Sequence, residues 1–131
     1  YSAAEGVIAL LFAAVAADDV VSEEEIQTVG CAIKRMRLFQ SYAFDVVRRI
    51  FIKIGQDYDQ YGFKPVIYAA KEAIPFELRE TIFAIATDLI LSDGVLSNEE
   101  ATVLTMMHHL LEIPEPAAQE IIKVIAIKNR G

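Results

Sequence analysis

Ala17-Asp18-Asp19-Val20-Val21-Ser22-Glu23-Glu24-Glu25 returns 75 positions later as Ser92-Asp93-Gly94-Val95-Leu96-Ser97-Asn98-Glu99-Glu100, with five of the nine positions identical. Each copy follows an apolar run of helical spacing and ends on Ser-x-x-Glu, a pattern that opens a helix. In that pattern the serine hydroxyl accepts from an amide that the first turn leaves free, and the glutamate takes the serine's own amide. The repeat therefore reads as a duplicated helix-loop-helix unit.

Working outward from the two copies, the spacing predicts helices and no strand. The first runs from about Ser2 to Ala17, with Val7, Leu11 and Ala14 facing inward. Ser22 caps a second helix to about Met36, and Leu38 to Gln40 make a turn. Ser41 to about Tyr61 form a long third helix with Phe44, Val47, Phe51 and Ile54 on its apolar side. Gly62 breaks the chain before a short helix, Lys64 to Ala73. Pro75 suits the first turn of a fifth helix to Ser92, Ser97 caps a sixth to Leu111, and Pro114 with Pro116 introduce a last one through Lys128. The expected fold is all-α, one domain over residues 1–131 with about seven helices, in which units 2–36 and 76–111 are pseudo-symmetric.

Composition narrows the function. With 131 residues and 54% hydrophobic content, the chain can bury a core of its own. The longest apolar stretch, Val7 to Ala17, has eleven residues, well short of the roughly 20 that cross a bilayer. The chain opens at Tyr1 without an initiator Met or a basic-then-apolar leader, which leaves an upstream segment open. The single cysteine, Cys31, has no intrachain partner and reads as a small buried hydrophobe beside Val29, Ala32 and Ile33. A cytoplasmic setting is expected, at most peripheral to the inner membrane.

A net charge of -7 argues against nucleic-acid binding, which needs concentrated Lys and Arg. The charge is uneven, because residues 34–53 hold six bases (Lys34, Arg35, Arg37, Arg48, Arg49, Lys53) against one acid, Asp45. That face is a candidate docking surface for an acidic protein or an anionic membrane. Its competing reading is a solvated helix face.

Glu23, Glu24, Glu25, Glu99 and Glu100 are accounted for by the positive end of a helix and by capping. Asp18 and Asp93 are not, since each ends the preceding helix, where the negative end disfavours a carboxylate by a few tenths of a kcal/mol or more. Asp18 continues the stripe Val7, Leu11, Ala14, and Asp93 the stripe Ile82, Ala86, Leu89, so both face inward. If the units pack symmetrically, the carboxylates converge and call for a cation, an arginine or a shared proton. Local capping is the alternative. The phrase also matches the second half of a calcium-binding EF-hand loop, but the early ligand positions fall at Ala14, Ala16, Leu89 and Leu91. A standard EF-hand is excluded. What remains is a weak or shared site for a divalent cation, Ca²⁺, Mg²⁺, Mn²⁺ or Zn²⁺, completed by backbone or water oxygens.

Other candidates are weaker. His108 and His109 are adjacent, point about 100° apart and cannot chelate one ion, with one at the surface and the other partly buried. Asp88 shares a small-residue face with Thr81, Ala84 and Ser92, and a bond to Ser92 is expected. Residues 56–62 read as a frayed helix end whose Tyr58 and Tyr61 offer a partner contact. Phe12, Phe83 and Met106 are candidates for a ligand pocket between the units. No phosphate-binding glycine loop, nucleophile elbow or Ser/Cys-His arrangement is present, so an enzyme is not expected.

The stretch Arg79 to Glu100, with its Asp93-Gly94-x-Leu96-Ser97-x-x-Glu100 phrase, and the ending Ile121 to Gly131 together resemble the TerB-like tellurite-resistance family, in particular its cyanobacterial-type members. The resemblance covers nearly the whole chain. It implies an all-helical domain without established catalysis, placed among bacterial tellurium-resistance and general stress gene clusters. It also implies an acidic, metal-interacting pole at Asp18, Glu25, Asp93 and Glu100, with Asp19 and Glu99 as outer members, and a protein partner in a stress-response complex. One departure is Asp19, where the family phrase prefers the glycine seen at Gly94, so the first corner can be shaped differently.

Overall fold

A computed structural model describes residues 1–15, 22–92 and 97–130. All regular structure among them is helical: α1 (Ala3–Val15), α2 (Glu23–Ile33), α3 (Phe44–Tyr61), α4 (Phe63–Ala73), α5 (Arg79–Ile90), α6 (Asn98–Leu110) and α7 (Glu115–Lys128). Short 3-10 turns cover Arg37–Phe39 and Phe76–Leu78. The chain divides into two compact units, Tyr1–Ile74 with α1 to α4 and Pro75–Gly131 with α5 to α7. Among the described residues no helix is long and apolar enough to cross a membrane.

The first unit is built around α1. Apart from Glu5 its sequence is apolar on every side, and a helix of that kind must be enclosed. Val7, Ile8, Ala9, Leu10 and Leu11 are all fully buried, so the expected stripe is part of a wider buried surface. α3 and α4 cover α1, and α2 lies on α3. Contact with α4 depends on Gly6, where a Cβ would meet the Ala70 carbonyl oxygen at 2.9 Å and the Ala73 Cβ at 3.1 Å. Phe12 lies against the rings of Phe51 and Tyr58. Gly62 ends α3 and starts α4 with φ at +84° and ψ at 171°, a conformation in which only glycine is unstrained.

Three expected boundaries move. α2 stops at Ile33, not Met36, because Lys34 already donates to the Cys31 carbonyl in a tightened last turn. α3 begins at Phe44 rather than Ser41, since the Tyr42 amide is taken by Phe39 and the cap falls on Ala43. Pro75 opens the 3-10 turn, and α5 follows at Arg79.

Cys31 is exposed, contrary to its sequence reading. The buried stripe of α2 is Ile26, Val29 and Ile33, and two residues on from Val29 a side chain has turned about 200° away.

In the second unit α5 buries Ile82, Phe83, Ala86, Thr87 and Ile90 against α6 and α7. Leu89, expected on the inner stripe, is only half-buried, with Ile90 taking that place. Thr87 satisfies its buried hydroxyl by donating to the Phe83 carbonyl at 2.7 Å. α6 contributes Leu104 and Met107, and α7 only Ala118.

Candidate functional site

Both copies of the repeat build the same helix start. The Ser22 amide donates to Glu25 Oε1 at 3.0 Å and the Glu25 amide to Ser22 Oγ at 3.1 Å. In the second copy the Ser97 amide donates to Glu100 Oε1 at 3.0 Å and the Glu100 amide to Ser97 Oγ at 3.1 Å. Glu25 and Glu100 thus occupy equivalent poses, each with one carboxylate oxygen committed to a cap. Glu99 is exposed. Asp18, Asp19 and Asp93 lie outside the described residues. Among the described residues no three His, Cys, Asp or Glu side chains are grouped to hold a metal.

A third box, outside the repeat, opens α1. The Ser2 amide donates to Glu5 Oε1 at 2.9 Å and the Glu5 amide to Ser2 Oγ at 3.2 Å. Its signal, Ser2-x-x-Glu5, is the same one that marked the repeats. Capping therefore does not single out the acidic corners; the aspartate ahead of the cap does.

The basic stretch from 34 to 53 is partly neutralised. The Arg48 guanidinium straddles the Glu23 carboxylate, with Nε donating at 3.1 and 3.2 Å and Nη2 closing the fork. Lys53 pairs with Glu5, and Arg49 Nε reaches the Asp45 carbonyl at 3.4 Å. The bond from Lys53 and that from the Ser2 backbone amide hold the Glu5 carboxyl down at about 2. Arg48 likewise holds Glu23 below the usual carboxylate range. Lys34, Arg35 and Arg37 are exposed and have no ion-pair partner among the described residues.

The lesser candidates resolve into structural roles. Asp88 does not pair with Ser92: it accepts from Asn129 Nδ2 at 2.8 Å and from Lys128 Nζ at 3.2 Å, while Ser92 donates to the Leu89 carbonyl. The carboxylate thus ties the C-terminal turns of α5 and α7. Tyr58 is not in a frayed end, since α3 continues to Tyr61. Its hydroxyl donates to the Ala9 carbonyl at 2.8 Å, and burial, the largest cause, pushes its pKa above the usual tyrosine value. Tyr61 is exposed. His109 is exposed and His108 partly buried, as expected. Their rings stack at 4.9 Å, and His108 Nε2 lies 3.6 Å from Glu115.

A family model described as tellurite resistance protein TerB matches residues 4–123. The chain belongs to the TerB family. The match takes in both capping boxes, the acidic corners and the whole basic stretch. No curated protein and no solved structure matches the chain. TerB membership agrees with the all-helical architecture and links the chain to tellurite resistance.

Proposed function

We propose that this TerB chain is a non-catalytic, stress-associated binding module whose acidic corners take a divalent cation. The supporting observation is the matched pair of capping boxes, which set Glu25 and Glu100 in one pose, with no bond to Oε2 among the described residues. Neither glutamate has the company of two further ligands among the described residues. The remaining oxygens are therefore assigned to Asp18 and Asp93, seven positions ahead of each glutamate, with Asp19, Glu99, backbone and water completing the shell. A hard cation also answers the cost of an aspartate at the negative end of a helix.

The test is thermal unfolding of metal-stripped protein with Ca²⁺, Mg²⁺, Mn²⁺ or Zn²⁺ added separately. A cation at 100 times its dissociation constant adds about 2.7 kcal/mol, a rise of several degrees in a domain of this size. No rise with any of them overturns the reading.

A second reading is an adaptor for an acidic protein or an anionic membrane. It is favoured by the exposed Lys34, Arg35 and Arg37 and loses Arg48 and Lys53, whose charges are already engaged. Co-sedimentation with vesicles that does not depend on anionic lipid removes its membrane form.

A further inference from the structure

Between α2, the 3-10 turn and the start of α3 lies a half-open cavity of about 240 Å³. Its floor is Ile33, Phe39 and Val47, exposed by 1%, 3% and 5%. Tyr42 and Phe44 form its sides, and the exposed Cys31 and Lys34 line its open part. Phe44 keeps 43% of its surface in contact with water, although its ring lies over Gly30, where a Cβ would come within 2.9 Å of it. The glycine lets the ring stand as a wall of the cavity.

The charge at this cavity is one-sided. Lys34 is its charged lining residue, with Arg35 and Arg37 following in the turn, and no carboxylate is among the described lining residues. The two bases of the stretch that could offset acids, Arg48 and Lys53, do so elsewhere on the first unit. At roughly 30 Å³ per water-sized group, the volume holds about eight such groups, too few for a helix face and enough for one short chain or a single ring.

We infer that this cavity binds a small soluble amphiphilic acid, its apolar body on Ile33, Phe39, Phe44 and Val47 and its carboxylate on the Lys34 ammonium. An apolar interior with one cation at the rim is the complement of such a molecule. This site is independent of the acidic corners, and its failure leaves the cation reading untouched.

The experiment titrates the full chain with octanoate, octanol and octylammonium below their aggregation limits, following amide chemical shifts. Octanoate is expected to move Gly30, Lys34 and Phe44 saturably, with octanol about fivefold weaker, the worth of one partly exposed charge pair. Lys34→Gln, at an exposed position that leaves the fold intact, is expected to bring octanoate down to the affinity of octanol and leave octanol unchanged. Cys31, the sole cysteine, supplies a second readout: octanoate slows its alkylation, followed by mass, in the wild-type chain. Equal binding of octanol and octanoate, an unaffected Lys34→Gln, or no saturable shift up to 10 mM overturns the inference. Association with phosphatidylglycerol vesicles alone, without a response to octanoate, overturns it in favour of a membrane surface.

Discussion

α2 and α6 start alike and settle differently. Their capping boxes agree to within 0.1 Å, yet α2 buries Ile26, Val29 and Ile33 on α3, whereas α6 buries Leu104 and Met107 on α5. The helices ahead of them diverge further. α1 buries five consecutive residues completely, while α5 leaves Ala84, Ile85, Asp88 and Leu89 half-exposed. A helix start is a contract among four neighbouring residues and survives duplication; a packing surface depends on distant partners and does not.

The largest test of that difference compares Ile8→Ala in α1 with Leu89→Ala in α5. Ile8 is fully enclosed, and its truncation is expected to cost about 2–5 kcal/mol in urea unfolding. Leu89 is half-buried and is expected to cost about 1 kcal/mol. Equal losses would erase the contrast between the two helices.

Gly6→Ala sharpens the same contrast. The added methyl meets a backbone oxygen at 2.9 Å that has no side-chain freedom to retreat, so a net loss of about 1–3 kcal/mol is expected despite alanine's better helix propensity. Stabilisation would mean that α1 and α4 separate at little cost.

Next come Ser22→Ala and Ser97→Ala. Each is expected to cost about 1 kcal/mol, and the two values should agree within about 0.5 kcal/mol if the boxes are energetically equivalent. A clear inequality would break the equivalence on which the paired corners rest.

The smallest effect is a pH dependence. The Glu5 carboxyl sits at about 2 in the folded chain, below its ordinary 4.5, first because of the Lys53 bond. A depressed carboxyl favours the fold above its ordinary value and loses that contribution as pH falls from about 4.5 toward 2. Lys53→Met is expected to flatten the stability profile in that window by a fraction of a kcal/mol, since the pair is partly exposed.

The repeat, its two Ser-x-x-Glu boxes and the Gly62 break are legible in sequence because each is decided within a few residues. Distant partners are not. Nothing near Asp88 announces Asn129 and Lys128, and nothing in the basic stretch shows that Arg48 faces Glu23 or that Lys53 faces Glu5. Cys31 reads as buried because its neighbours in sequence are apolar, while the stripe that decides burial steps past it and leaves it exposed. Of the acidic pole, Glu25 and Glu100 are the members held by caps, and Asp18, Asp19 and Asp93 lie outside the described residues.

Calorimetric titration of the metal-free chain beside Asp18→Asn/Asp93→Asn tests the cation reading most directly. Saturable heat with one divalent cation in the wild-type chain, lost in the double variant while its unfolding midpoint without metal is equal or slightly higher, as removal of two uncompensated carboxylates requires, is the expected result. Equal binding in both chains, or none in either, would contradict it.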